Sequence, residues 1–363
     1  MASPKEIRIA QLIDSLEAGG AERMAVNYAN ALQATTGFSA LVTTRAEGNL
    51  KAEVSPEVAY VYLHRQRVLD VKAYRLLCNF IKKHRITHVH AHSSSVFFAI
   101  LLRLRFPTLT IVWHDHYGWS EQLDRRPKFA LQLASLFTKG IITVNHTLQS
   151  WSQTHLFCKR VLYLPNFVGI HSATSLPAIS LHGEEGKRIV CLANLRPQKN
   201  HSMLLEVAQQ LKATHPDWTF HLVGKDFQDA YSGQLRATLF QMKLESHVFI
   251  YGTQQEISGI LKQCSIGVLT SDSEGLPVSI LEYGLAGLAV IATQVGEVGQ
   301  VLTEQNGILV PKGDSVSFFH HLSQLINNVS LRQEYGEALQ KHIKHTYSTA
   351  AVIPEYLKWM YED

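Results

Sequence analysis

Apolar residues in this chain fall in short runs separated by amphipathic stretches, and the two kinds of segment alternate almost without a break. Runs at 7–13, 38–44, 58–63, 86–90, 109–113, 140–144 and 161–163 have the length of buried strands. Between them, 21–34, 68–84, 93–105, 127–137 and 146–157 repeat apolar positions at helical spacing. Segment 164–188 carries two prolines and little periodicity. The alternation then restarts, with strands at 189–193, 218–223, 247–250, 265–269, 289–292 and 308–310. Helices are predicted over 200–214, 230–241, 254–262, 277–286, 314–328 and 330–346, and a last one over 350–363. Two successive β-α-β series predict an α/β protein with two parallel, doubly wound sheets, the first over 1–166 and the second over 167–347. Ligands of such sheets bind beyond the carboxyl ends of the strands, so the loops there carry the candidate chemistry.

The richest of these loops lies in 271–293, SDSEGLPVSILEYGLAGLAVIAT. A strand leads into it, and Val278, Leu281, Leu285 and Leu288 follow at helical spacing. Glu274 therefore sits on a strand-to-helix loop, and Glu282 about a turn and a half into the helix. Pro277 is expected at the first helical position, where a missing N–H costs nothing. Gly275 lets the backbone approach a ligand. A helix start with flanking carboxylates suits a polyhydroxylated phosphate ester, because amides hold the anion and carboxylates accept from hydroxyls. Two surface glutamates at a helix start are common, but an unbroken Glu-Gly-Leu-Pro run is not. A second strand, glycine loop and helix occurs around Gly19 and Gly20 (15–32), and a third at 189–211, where Asn194, Arg196 and Lys199 stand on the loop. No G-x-G-x-x-G pattern is present, which disfavours a nicotinamide-binding site.

The 271–293 stretch closely resembles the E-x7-E signature of the family 4 retaining glycosyltransferases, whose fold is GT-B: two Rossmann-like domains facing across a cleft. The match runs from Glu274-Gly275-Leu276-Pro277 through Glu282, then Ala286-Gly287 and 289-AVIAT-293. The resemblance implies that Glu274 holds the donor sugar's hydroxyls and Glu282 the nucleotide ribose, with the amides of Gly275 and Leu276, beside Pro277, facing the sugar. The G-G-A-E-R run looks like the same family's N-terminal loop, placing Gly19 and Gly20 against the donor diphosphate. The 189–211 loop is similar to the family's G-R-L-x-P-x-K-G, with Lys199 in the place of the Lys. Asn194 stands where the family has Arg. Either Arg196, two residues later, takes over the phosphate contact, or Lys199 acts nearly alone. His114 matches the family's N-domain histidine, near the donor sugar and the acceptor. His92 and, beside Asp115, His116 fall on the acceptor side, while His90 reads as structural. The terminal segment 348–363 would cross back onto the first domain.

The resemblance further implies a nucleotide-diphosphate sugar as donor substrate, a UDP-sugar favoured over a GDP-sugar, with no cofactor. A hexose-type sugar would pass to a glycan or lipid-linked acceptor with retention, in cell-surface polysaccharide or glycolipid synthesis. No metal is expected. His114-Asp115-His116 suggests one, but no further ligand cluster is apparent in the sequence. Asp272-Ser-Glu274 is similar to the D-x-D metal motif of the other large glycosyltransferase fold, for which a two-Rossmann enzyme has no role. Two rival readings share the fold: a sugar-nucleotide epimerase, and a non-catalytic interaction module. The epimerase is expected to lack E-x7-E. Loss of Glu274 or Lys199 would have flagged the module.

Composition narrows the setting. The chain has 363 residues, 46% apolar and 18% charged, which suits two globular domains and excludes a low-complexity chain. Cys78, Cys158, Cys191 and Cys264 form no C-x-x-C pair and read as buried thiols of a cytoplasmic protein. The N-terminus has no signal-peptide core, and the most apolar window, 96–112, is interrupted by Arg103, Arg105 and Pro107. Charge is divided: residues 1–165 hold 20 Lys and Arg against 11 Asp and Glu, a net of +9, and the remainder 14 against 19, a net of −5. No nucleic-acid module is readable. The basic half, including 64–67, 82–85, Arg125, Arg126 and Lys128, is read either as a surface for an anionic membrane's inner face or as a solvated basic face.

Overall fold

In the computed structural model, described for residues 7–17, 19–118, 120–169 and 179–362, the chain divides into two units, Met1–Gly169 with Thr349–Asp363 and Ile170–Ser348. Each strand run read from the sequence becomes a strand. Unit 1 contains β1 (Ile9–Ser15), β2 (Ala40–Ala46), β3 (Ala59–Tyr62), β4 (His88–His92), β5 (Thr110–Asp115), β6 (Gly140–Thr143) and β7 (Val161–Tyr163). They form one parallel sheet in the order β3-β2-β1-β4-β5-β6-β7. Unit 2 contains β8 (Arg188–Leu192), β9 (Thr219–Val223), β10 (Val248–Gly252), β11 (Ile266–Leu269), β12 (Ala289–Thr293) and β13 (Ile308–Val310), in the order β10-β9-β8-β11-β12-β13. Each order reverses direction once, between β1 and β4 and between β8 and β11. Crevices at such reversals are where doubly wound sheets bind ligands.

The helices of unit 1 are α1 (Gly20–Thr36), α2 (Val71–His84), α3 (Val96–Ala99), α4 (Phe129–Ser135) and α5 (His146–His155); those of unit 2 begin with α6 (His201–Thr214), α7 (Ala230–Gln241), α8 (Ile257–Leu261) and α9 (Val278–Leu285). They continue with α10 (Val298–Val301), α11 (Ser315–Asn327) and α12 (Val329–Thr346), before α13 (Thr349–Tyr361) rejoins unit 1. Side chains of Asp70, Asn145, Asn200, Asp229, Asp314 and Asn328 each accept from an amide three residues on and fix where their helices begin. Gly19 before α1 and Pro277 before α9 provide no such side-chain cap.

Helices α2 to α5 pack Leu77, Phe98, Ala134 and Trp151 into one core with Trp113 of β5. Helix α1 packs Ala25, Val26 and Ala29 against Ile13 and Leu41 in another. The core of unit 2 is built on Ile189, Phe220, Val268 and Ile291, covered by Leu204, Leu235 and Phe318. All four cysteines are buried free thiols.

Several expectations are corrected. The helix expected over 93–105 is broken: only Val96–Ala99 is α, flanked by 3-10 turns at Ser93–Ser95 and Ile100–Leu104. Serines that bond the backbone, Ser95 Oγ to the carbonyls of Leu12 and His92 among them, compete with a regular start. The helix expected over 127–137 shrinks to α4 and that over 254–262 to α8, while α10 lies where none was read. Pro277 is not the first helical residue but the one before it, in extended conformation (φ −71°, ψ 119°). Arg65 and Arg126, counted with the basic face, are buried. Arg126 forms a two-pronged ion pair with Asp115 at 2.7 and 2.8 Å, and Arg65 donates to the carbonyls of Arg67 and Val68. Part of the 164–188 connection, residues 170–178, lies outside the described residues.

Candidate active site

The carboxyl ends of β8 and β11 place the principal candidates of unit 2 side by side. The loop after β8 turns through a 3-10 segment, Pro197–Lys199, and Asn200 (φ 47°) opens α6. The loop after β11 runs from Thr270 to Pro277. Thr270 Oγ1 donates to the carbonyls of Lys199 and Asn200, Asn200 Nδ2 to Asp272 Oδ1, and the Asp272 amide to the Gln198 carbonyl at 2.8 Å. These bonds tie the loops together. Lys199 Nζ and Glu274 Oε1 meet at 2.5 Å, and Ser271 Oγ donates to the same oxygen at 2.6 Å. Glu274 is only 6% exposed. A carboxylate this buried needs such partners, and an ammonium with a hydroxyl supplies them.

Backbone packing holds the loop further. Gly296 (φ 51°) approaches so closely that a Cβ there would lie 2.0 Å from the Glu274 carbonyl oxygen, and the Glu297 amide donates to the Gly275 carbonyl at 3.0 Å. Gly296 is thus required both by its left-handed backbone and by its neighbour. Leu276 is buried and anchors the Glu-Gly-Leu-Pro segment ahead of α9. Glu282, half-buried, follows in the second turn of α9. Asn194 is a brace: its Oδ1 accepts the Lys225 amide at 2.8 Å. Arg196 is exposed, its guanidinium 4.5 Å above the Phe227 ring. The structure therefore brings Lys199 and Glu274 together and seats Arg196 on a different neighbour. His201, beside Lys199, is neutral, its pKa pushed down to about 4 by burial and then by the Lys199 charge.

In unit 1, Gly19 and Gly20 open α1. Gly19 is extended (φ −170°), and a Cβ there would lie 2.2 Å from a carboxylate oxygen of Glu22, whereas a Cβ on Gly20 would meet nothing within 4 Å. The bare backbone at Gly20 leaves room at this helix start, the kind of site that receives an anion, while the Glu22 carboxylate already lies over Gly19.

The ends of β4 and β5 bring together four histidines. His92 and His114 are register partners. His90 Nε2 and His114 Nδ1 lie 3.1 Å apart, His92 Nδ1 and His116 Nε2 3.0 Å, and His92 Nε2 lies 2.8 Å from Gln11 Oε1. Tyr356, from α13, places its hydroxyl 3.2 Å from His90 Nδ1. Burial pushes His90, His92 and His114 well below the usual imidazole range and His116 down to about 3, so all are neutral near pH 7. His92 is fully buried with both ring nitrogens engaged. His114 is 1% exposed, and its Nε2 has no hydrogen-bond partner. The sequence showed no ligand cluster beyond His114 and His116, but strand pairing supplies one: donor atoms of His90, His92 and His114 lie within 4.8 Å of one another. The partners that sequence reasoning missed, Gln11 and Tyr356, carry no local signal; only the sheet order and the return of α13 bring them in, whereas Ser271 and Asp272 lie on the Glu274 loop itself, and only their roles as hydrogen-bond partners were hidden.

Two glycosyltransferase models match this chain, Glycosyltransferase Family 4 over residues 18–172 and Glycosyl transferases group 1 over residues 186–328. The chain belongs to the family 4 type of glycosyltransferase, and its fold is GT-B. It is similar to an uncharacterized glycosyltransferase of Haemophilus influenzae, 23% identical, covering 93% of this chain and 95% of that one. It also resembles the Escherichia coli UDP-Gal:alpha-D-GlcNAc-diphosphoundecaprenol alpha-1,3-galactosyltransferase, 25% identical over 72% of each chain. Among solved structures, Anabaena HepE in complex with UDP-glucose superposes with a TM-score of 0.80 at 15% identity, covering 98% of this chain and 99% of that one. Sucrose-phosphate synthase from Thermosynechococcus elongatus gives 0.76 at 15% identity, covering 98% of each.

Proposed function

We propose that this glycosyltransferase moves a hexose-type sugar from a nucleotide-diphosphate sugar, a UDP-sugar in preference to a GDP-sugar, to a glycan or lipid-linked acceptor. The product serves cell-surface polysaccharide or glycolipid synthesis. The buried Lys199–Glu274 pair at the β8–β11 reversal carries the reading. Donor binding would open it. Lys199 then faces the diphosphate, joined by Arg196, and Glu274 accepts from sugar hydroxyls, while Glu282 holds the ribose. The names of the Escherichia coli relative and of the HepE complex support the choice of donor and acceptor class.

The transfer proceeds with retention and without a metal. The bond from the anomeric carbon to the diphosphate oxygen breaks, the acceptor oxygen bonds to the same face, and the departing phosphate takes the acceptor's proton. Charge developing on the diphosphate is met by Lys199, Arg196 and amide groups at the uncapped start of α9, donors fixed before the reaction begins. His114 lies on the sugar and acceptor side, with His116.

The acceptor side is read as a membrane surface, on the inner face of the plasma membrane. Exposed Val68, Leu69, Leu104 and Phe129 stand among Arg67, Lys72, Arg103, Arg105 and Lys128 on unit 1. No helix among the described residues is long and apolar enough to cross a membrane. Exposed apolar residues beside basic ones attract anionic lipid, the charges through a field screened within about 8–10 Å at physiological salt.

The test is nucleoside diphosphate release from a panel of UDP- and GDP-sugars with lipid-linked acceptors, and the anomeric configuration of the product by NMR. Acceptor-dependent release with a retained configuration is expected. Conversion of the donor to an epimer without acceptor would replace this reading with the epimerase, and binding without turnover would replace it with the interaction module.

A further inference from the structure

The histidine cluster of unit 1 can be assigned proton by proton. A neutral imidazole has one N–H and one lone pair, so each hydrogen bond in the chain of rings decides the next. Burial raises the pKa of the Tyr356 phenol, which stays protonated. Its hydroxyl is hydrogen-bonded to His90 Nδ1 at 3.2 Å. With the phenol as donor and His90 Nδ1 as acceptor the buried O–H is paired, and the unpaired proton of the series falls on His114. His90 then carries its proton on Nε2 and donates to His114 Nδ1 at 3.1 Å; the two rings lie 6° from parallel. His114 in turn carries its proton on Nε2, the buried atom without a partner. The second pair is settled from its other end. Gln11 Oε1 can only accept, so His92 Nε2 donates to it at 2.8 Å, and His92 Nδ1 accepts from His116 Nε2 at 3.0 Å.

We propose that Tyr356 and His90 are positioning residues that fix His114 as an Nε2–H donor for an oxygen of the bound substrate, and so exclude His114 as a proton acceptor. The inference rests on the reading of His114 as a substrate-contacting residue. It places the device on the strand ends, where ligands of doubly wound sheets bind, and gives the returning helix α13 a task in the site. A cation held by His90, His92 and His114 is the competing use of the same atoms. The proton assignment turns the Nδ1 lone pairs of all three rings toward hydrogen-bond donors. No carboxylate or thiolate belongs to the group, and Asp115 is committed to Arg126.

Nitrogen-15 NMR of histidine-labelled full-length protein, free of ligand, reads the tautomers directly. Nε2–H forms at both His90 and His114 are expected, and an Nδ1–H form at His114 overturns the proposal. Stoichiometric uptake of Zn²⁺ or Co²⁺, abolished by His90→Gln, also overturns it. His90→Gln keeps an N–H facing His114 and should retain both the tautomer and turnover, whereas His90→Leu should lose both. Should His90→Leu fail to fold, Tyr356→Phe removes a single hydroxyl and should give His114 a mixed tautomer spectrum. Turnover should then fall by about 10-fold, the worth of one hydrogen bond, with the donor KM little changed. An unaltered spectrum and turnover in Tyr356→Phe overturns the relay. The spectra require no transferase activity, so failure of the glycosyltransfer reading stays distinguishable from failure of the relay.

Discussion

The two sheets solve the same placement problem with opposite chemistry. In unit 2 the reversal between β8 and β11 carries an ion pair, Lys199 against Glu274, held by a serine hydroxyl and cross-loop hydrogen bonds. In unit 1 the reversal between β1 and β4 carries Gln11 and His92, and His90, His114 and His116 extend the set across β5, all neutral. Charge can be buried at the first site because each ion brings its counter-ion. Burial at the second neutralises the imidazoles instead, and their protons are placed by hydrogen bonds. A charged site meets developing charge; a neutral one orients and excludes water. The comparison thus teaches where turnover should be sensitive to charge and where it should be sensitive to proton position.

The largest effect should come from removing the charge at Glu274. Glu274→Gln keeps the size and one acceptor oxygen but leaves Lys199 without its anion and the sugar without a charged acceptor. Turnover should fall by about 100-fold or more, as when one preorganised transition-state contact is lost, while affinity for free nucleoside diphosphate changes little. Steady-state transfer and calorimetry together check this. Wild-type turnover would break the comparison, since the charged pair would then be structural.

Acid should separate the units next. For a histidine whose folded pKa is lowered, the unfolded chain takes up the proton first. Stability is therefore fully present above the unfolded value, near 6.5, and is lost as pH falls toward the folded one, about 3 for His116. Each such group costs about 1.4 kcal/mol per pH unit within that window. Unit 1 concentrates four in one cluster, and unit 2 has His201 at the start of α6 and His221 on β9, lowered to about 4 and about 3. Hydrogen exchange between pH 7.5 and 5 should show β4 and β5 losing protection before β8 and β11. Equal loss in both would mean that the cluster protonates without opening the sheet.

Those two sites were not equally legible in the sequence. Glu274, Glu282 and Lys199 lie on local strand-loop-helix patterns, and their loops could be placed from apolar spacing alone, because a parallel sheet puts all such loops at one end. The strands were readable for the same reason: buried on both faces, they are continuous apolar runs. The short helices were not. Val298–Val301 and Val96–Ala99 are each four residues long, too short for a period to show. The histidine cluster was half visible: His90, His92, His114 and His116 stand at strand ends, but only the β4–β5 register joins them, and Tyr356 comes from 240 residues beyond His116. The role of Asn194 was hidden by its type. An amide on a phosphate-type loop reads as a donor to ligand, whereas here its oxygen accepts the Lys225 amide.

Arg196 sharpens the charged side of the comparison. It is exposed and stacked on Phe227, so it owes little to the fold, and Arg196→Ala should leave the melting temperature unchanged. If the stacking holds the guanidinium ready for the diphosphate, turnover should fall by about 10-fold, the worth of one charge-assisted hydrogen bond in partly exposed surroundings. Near-normal turnover would leave Lys199 as the cation that faces the leaving group.

The smallest effect tests whether unit 1 also contributes an anion site beside its neutral one. A Cβ at Gly20 would meet no protein atom within 4 Å, and the residue stands at the first position of α1 with helical backbone. Gly20→Ala should therefore leave the fold intact or raise its stability by up to about 1 kcal/mol through the lower entropy of the unfolded chain. If the bare backbone makes room for a diphosphate, the added methyl group occupies that room. The thermal shift produced by nucleoside diphosphate should shrink in Gly20→Ala even as the ligand-free melting point stays or rises. Opposite signs in the two measurements separate a ligand contact from a folding defect, which would lower both. A full ligand-induced shift in Gly20→Ala would mean that the diphosphate is held without this helix start, and that Lys199 and its neighbours in unit 2 provide the charge alone.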